Sequence, residues 1–163
     1  MIKNNLFKYQ LISPNLPVGG FCYSEGMESF LQKKNLKTDD SIKNLILDEL
    51  KFGQIRIEAN SLIKFYELYN KLFNNDEFED LKKEILSLNK FIIASRDSKE
   101  IRDQQNQMGK SLLDLSKNFG AKFPFEVENL ITWPLAWSWS CFAFEISKIE
   151  MVEYILYLFY KKK

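Results

Sequence analysis

The chain has 163 residues, 45% hydrophobic and 15% aromatic, which suits one compact domain with a single core. Its 23 basic and 22 acidic residues are mixed along the sequence and leave a net charge of +1, so no basic stripe invites nucleic acid or an anionic membrane surface. Histidine is absent, which excludes Ser-His-Asp and Cys-His mechanisms and removes the commonest nitrogen ligand for a transition metal.

The chain opens with Lys3, Asn4, Asn5 and Lys8 among its first residues, without the apolar stretch and small-residue cleavage site of a secretory signal, so a cytoplasmic protein is expected. Residues 12–28 then hold three of the six glycines and two of the four prolines. Pro14 and Pro17 restrict φ, Gly19 and Gly20 open backbone angles closed to other residues, and Phe21 and Tyr23 are placed by that path. An ordinary ordered loop and a preformed recognition surface fit equally well. A phosphate cradle at Gly19 and Gly20 is a weaker third reading, because the Lys-Ser or Lys-Thr of a P-loop is missing.

A short amphipathic stretch runs from Glu25 to Gln32, and Thr38 offers an N-cap with Asp39 and Asp40 in the following turn. Ile42, Leu45, Ile46 and Leu50 recur at helical steps, which predicts a helix from Asp39 to Phe52 that Gly53 ends or bends. Ile55, Ala59, Leu62, Ile63, Tyr66 and Phe73 carry the same period to a loop at Asn74, Asn75 and Asp76. Phe78, Leu81, Ile85, Leu88 and Ile92 predict another helix over Glu77 to Ala94.

Asp97 with Glu100 reads as a capping box, ahead of a helix lined by Ile101, Met108, Leu112, Leu115 and Phe119 and stopped at Gly120. Pro134 fits the first turn of the next helix, and Trp133, Trp137, Phe142 and Phe144 read as core aromatics rather than a cofactor box. The uncharged run from Asn129 to Phe144 is too short and too polar to span a membrane. Met151 to Tyr160 is apolar almost all round and stops in Lys161 to Lys163, a solvated tail. Cys22 and Cys141 lie far apart with no CxxC spacing, as expected of reduced thiols. No alternating run long enough for a sheet appears, so residues 1–163 are expected to form one all-α helical bundle of about six or seven helices.

A second segment stands out beside the glycine loop. From Ala94 to Gly109 the polar face is unusually broad. It is either a solvated helix side with weak surface pairs such as Glu100 with Arg96, or an inter-subunit surface where Arg96 and Arg102 fork onto a partner's carboxylates or carbonyls. A small helical enzyme using Glu28, Glu100 or Lys110 beside the glycine loop is the competing function class.

These two segments resemble the UreF family of urease accessory proteins. The family's Ser-Pro-x-Leu-Pro-(Val/Ile)-Gly-Gly-Phe-x-Tyr-Ser-x-Gly-(Leu/Met)-Glu pattern is matched by Ser13, Pro14, Leu16, Pro17, Gly19, Gly20, Phe21, Tyr23, Ser24, Gly26 and Glu28. Its Ser-Arg-(Glu/Asp)-(Ser/Thr)-x-Glu-x-Arg stretch and following Gln-Met-Gly are matched by Ser95, Arg96, Asp97, Ser98, Glu100, Arg102, Gln107, Met108 and Gly109.

The resemblance implies an all-α, dimeric, non-catalytic adaptor. It would join UreD (also called UreH) and the GTPase UreG on apo-urease for nickel insertion, with no cofactor and with the quoted residues as structural or partner-facing positions. Cys22 stands where the family usually has a small residue. Family chains also continue into an Arg-Leu-x-Pro-Leu-Gly-Gln-like tail, whereas Lys163 comes first here. A shortened chain with an uncovered last helix is therefore expected, with a truncated, non-functional adaptor as one of its readings.

Overall fold

The computed structural model describes residues 2–13, 16, 43–44, 47–48, 51–74, 77–128 and 130–161. Among them the chain is all-α, with six helices and no strand: α1 (Ile2–Leu11), α2 (Gln54–Asn74), α3 (Phe78–Ala94), α4 (Lys99–Asn118), α5 (Trp133–Ala143) and α6 (Lys148–Lys161). Lys43, Asn44, Leu47, Asp48, Lys51 and Phe52 are also helical, within the helix expected over residues 39–52. The rest of that span, the Glu25–Gln32 stretch and Cys22 lie outside the described residues. No helix among the described residues is long and apolar enough to cross a membrane.

A helix of 11 residues, α5, is the centre of the fold. In α5 every residue from Trp133 to Cys141 is buried, and the helix packs against α2, α4 and α6. Its only polar side chains apart from the indoles are serines, which satisfy themselves on carbonyls. Ser138 donates to Leu62 O (3.0 Å), and Ser140 donates to Ala136 O (2.8 Å) and meets the Ser116 hydroxyl of α4 at 2.6 Å. Small side chains at Ala136, Ser138 and Ser140 let neighbouring helices approach, while Trp137 fills the volume between them and donates its indole N–H to Met151 O (3.4 Å). The expected aromatic core is thus present, with Phe142 only partly covered.

Against this helix α2 lays Leu62, Phe65, Leu68, Tyr69 and Leu72, and the Tyr69 hydroxyl donates to Leu135 O (3.2 Å). Burial pushes that hydroxyl well above its usual pKa, and does the same to the Cys141 thiol, which stays protonated. Gly53 makes the bend ahead of α2 that its position suggested. α2 and α3 form an antiparallel pair, tied on the outside by Lys64 and Glu84 (2.9 Å).

Helix ends follow local chemistry, with two corrections to the sequence reading. α4 begins one residue later than Asp97 would set: Ser98 is the N-cap, its hydroxyl accepting the Ile101 N–H (3.3 Å), while Asp97 is exposed. α6 begins at Lys148 rather than near Met151, because Ser147 and Glu150 cap each other. The Ser147 N–H donates to Glu150 Oε2 (2.9 Å), and the Glu150 N–H donates to the Ser147 hydroxyl (3.3 Å). The Ser147 N–H and the Ser147 hydroxyl (2.8 Å), both donating to the Glu150 carboxylate, hold it below its ordinary pKa. Gly120 closes α4 at φ +105, with Ala121 N–H reaching back to Ser116 O (2.9 Å), as its position foretold. Thr132 caps α5 and Pro134 lies in its first turn.

The N-terminal helix α1 has no counterpart in the expected elements. Phe7 and Leu11 dock it, both fully buried, with Phe7 stacked on Phe144 (3.8 Å between centroids) and edge-on to Phe119 (5.2 Å), and Lys8 pairs with Glu150 (3.6 Å). Phe7→Ala should therefore lower unfolding free energy by about 3 kcal/mol or more in urea titration. A loss below about 1 kcal/mol would mean that α1 is not docked by this contact.

Candidate functional site

The second motif of the sequence forms the corner between α3 and α4 and the face on which α5 begins. α3 ends at Ser95, whose hydroxyl donates to Ile92 O (2.7 Å). Arg96 then turns inward. It is 3% exposed, and its Nη2 lies 2.7 Å from Glu58 Oε1 of α2, itself buried. Neither reading of Arg96 made from sequence applies: it forms no surface pair with Glu100, and its carboxylate partner belongs to its own chain.

Arg102, one turn into α4, donates from Nη1 to the Arg96 carbonyl (2.8 Å) and so caps the end of α3 from the next helix. Glu100 is exposed and its carboxyl is held below the ordinary value by hydrogen bonds to first-turn backbone and to Ser98. The corner is therefore locked from three sides: α2 grips Arg96, Ser98 starts α4, and Arg102 closes α3.

One turn further on, α4 meets the lead-in to α5. Residues 130–132 are neither helix nor strand, yet Ile131 and Thr132 are buried, so their backbone groups need partners supplied from elsewhere. Side-chain amides supply them. Asn89 of α3 donates to Leu130 O (2.7 Å), and its Oδ1 accepts from Thr132 N–H (3.0 Å) and Thr132 Oγ1 (2.8 Å). Asn106 Oδ1 accepts the Ile131 N–H (3.0 Å), and Gln105 Oε1 accepts the Trp133 N–H (3.0 Å).

Gly109 lets this happen. A Cβ there would stand 2.6 Å from Ile131 O and 2.9 Å from Ile131 Cγ2, so α4 can lie against this backbone only without a side chain at that position. Met108 is buried beside it, receiving a long contact from Gln104 Nε2 (3.7 Å to sulfur), whereas Gln107 points to solvent.

The motif residues thus divide. Arg96, Met108 and Gly109 are buried, Ser95 and Arg102 are half-buried and engaged within the chain, and Glu100 and Gln107 are exposed. The two exposed residues continue along α4 as an outer polar stripe with Asp103, Lys110, Asp114 and Lys117. Glu100 and Lys110 are ten residues apart on one helix, roughly 15 Å along its axis, and converge on no common point. Of the first motif, Ser13 is half-buried and Leu16 is buried in the core, its N–H donating to Ser13 O (3.1 Å). Pro14, Pro17, Gly19, Gly20, Phe21, Tyr23, Ser24, Gly26 and Glu28 lie outside the described residues. Among the described residues no group of three metal-ligating side chains comes together.

Glu58, Asn89, Gln105, Asn106 and Thr132 were not singled out from sequence. The usable signal is a polar residue sitting in an apolar stripe. Asn89 falls four residues after Ile85 and three before Ile92, where the helical period calls for a hydrophobic side chain.

The UreF family model matches residues 36–162, so the first motif precedes the matched region and the second lies within it. A urease accessory protein UreF of Prochlorococcus marinus strain MIT 9312 is 54% identical over 157 residues, covering 96% of this chain and 69% of the relative. The UreF of the subspecies pastoris strain CCMP1986 matches to the same extent, and that of Synechocystis strain PCC 6803 is 35% identical over 107 residues, 65% of this chain and 45% of its own. No solved structure matches.

Two substitutions check the corner and its close contact. Arg96→Ala should cost about 3 kcal/mol, because it strands a buried carboxylate. Gly109→Ala should cost about 1–3 kcal/mol by forcing α4 off residues 131–132. Urea denaturation midpoints within experimental scatter of the wild type would show that neither contact bears on stability.

Proposed function

The chain belongs to the UreF family of urease accessory proteins, and from that membership we propose that it acts as a non-catalytic adaptor. It joins UreD, also called UreH, and the GTPase UreG on apo-urease, so that nickel passes into the urease active site as cargo. In this reading it works in the cytoplasm as a homodimer and carries no cofactor. The supporting observation is identity of 54% to UreF proteins across 96% of the chain. The residue chemistry agrees with a scaffold: a sequence without histidine offers poor footing for tight nickel binding or general base catalysis at neutral pH.

For the second motif the proposed roles are supported by burial. Arg96, Arg102, Met108 and Gly109 shape and stiffen the body. Glu100 and Gln107, on the outer stripe of α4, are assigned to partner contact, as are Phe21 and Tyr23 on the strength of the motif resemblance. A stiff corner beneath an exposed helix face suits an adaptor, since a preordered surface loses little entropy on binding.

Co-expression with UreD, UreG and apo-urease is the test. The chain should co-purify with UreD, alter GTP turnover by UreG inside the complex, and restore urease activity to cells lacking their own UreF. Tyr23→Ala should weaken that assembly without changing helix content by circular dichroism. Failure of the wild-type chain to associate with any of these partners would refute the adaptor reading.

A further inference from the structure

A continuous ridge of rings crosses the end of the molecule where α2 finishes and α3 starts. Phe73 lies on Trp139 (5.9 Å between centroids, 26° between planes), and Trp139 meets Phe123 edge-on (5.4 Å). Phe123 meets Phe125 (4.7 Å), and Phe125 meets Phe78 (6.3 Å). The ridge is rooted in the core at Trp139 but open at both ends, with Phe73 56% and Phe78 38% exposed. The indole N–H of Trp139 is buried and has no hydrogen-bond partner. Open aromatic faces are costly in a free monomer.

Charge around the ridge is uneven, although the whole chain is close to neutral. Glu79 and Asp80, next to Phe78, are each matched within their own helix, by Lys82 (3.6 Å) and Lys83 (3.0 Å). Glu77, Glu126 and Glu128 are exposed and form no ion pair among the described residues, three carboxylates against the cations Lys71 and Lys122. Lys71, two residues before Phe73, is exposed too, and the Glu67 carboxylate near it is paired with Lys148 (2.9 Å).

We infer that this ridge is a docking surface for a partner protein that presents arginine or lysine beside an apolar side chain. An arginine fits both halves of the surface: its guanidinium plane stacks on one open ring, at the Phe73 end or at the Phe78 end, and its fork of donors suits the unpaired carboxylates. Complementary charge steers and orients such a complex, and covering the rings supplies the apolar area. The inference rests on the adaptor reading and gives one of its contacts a place and a chemistry.

The experiment titrates wild type, Phe73→Ser and the double variant Glu126→Lys/Glu128→Lys with purified UreD and, separately, purified UreG, at about 50 and 300 mM salt. All three positions are exposed or on an exposed loop, so folding should persist, and each variant is first matched to wild type by circular dichroism and unfolding midpoint. For one of the two partners, Phe73→Ser and the charge-reversed variant should each bind about tenfold more weakly. The charge-reversed variant should also lose most of the salt dependence seen with wild type. Equal binding by all three proteins at both salts would overturn this surface while leaving the adaptor role standing. No association of wild type with either partner would remove the adaptor reading, and this inference with it. Variants that changed only self-association, read by light scattering, would put a second copy of the chain on the ridge and likewise overturn the proposal.

Discussion

Four backbone groups between Leu130 and Trp133 have no helix or sheet to satisfy them, and the molecule is organised around giving them partners. Burying such a stretch unpaired would cost roughly 1–3 kcal/mol per group. Asn89 of α3 and Gln105 and Asn106 of α4 meet that demand with side-chain amides. The bonds fix the point at which α5 begins, and α5 is the helix against which α2, α4 and α6 pack. Position, more than adhesion, is what these amides supply.

From that constraint the division of the second motif follows. Gly109 has to lack a side chain for α4 to reach residues 131–132, and α4 has to leave the corner at a fixed angle to bring Gln105 and Asn106 opposite them. The Arg96–Glu58 pair, the Ser98 cap and the Arg102 bond to the Arg96 carbonyl set that angle. A buried ion pair is a poor source of net stability, but losing one half of it is expensive, so it acts as a device for specifying one arrangement. The polar residues spent inside the chain are thereby separated from those left outside on α4, which remain for solvent or another protein.

Much of this was legible from the residues alone. The apolar period located α2, α3 and α4, Pro134 marked the start of α5, Gly53 and Gly120 marked breaks, and the motif resemblance pointed to the family that the relatives support. What escaped has physical reasons. α1 carries little apolar contrast in ten residues and depends on Phe7 meeting Phe144 more than a hundred positions away, which no local pattern encodes. Arg96 looked like surface because arginine nearly always is, and only the juxtaposition of Glu58 from α2 makes its burial tolerable. The choice of Ser98 over Asp97 as a cap is a one-residue matter on which spacing alone is a weak guide. By contrast, the Ser147-to-Glu150 cap was readable: a serine followed three positions later by glutamate, just ahead of an apolar run, is the pattern of a helix start.

The most direct measurement of the account is native-state hydrogen exchange at the amides of Ile131, Thr132 and Trp133. If side-chain amides of α3 and α4 hold this stretch as the seat of α5, the three protons exchange only with near-global unfolding, within about 1 kcal/mol of the unfolding free energy. In an Asn89→Ala variant the Thr132 amide should then drop to a smaller, local opening energy. Fast exchange at all three in the wild type, while the α5 interior stays protected, would contradict the claim that this clamp positions the core.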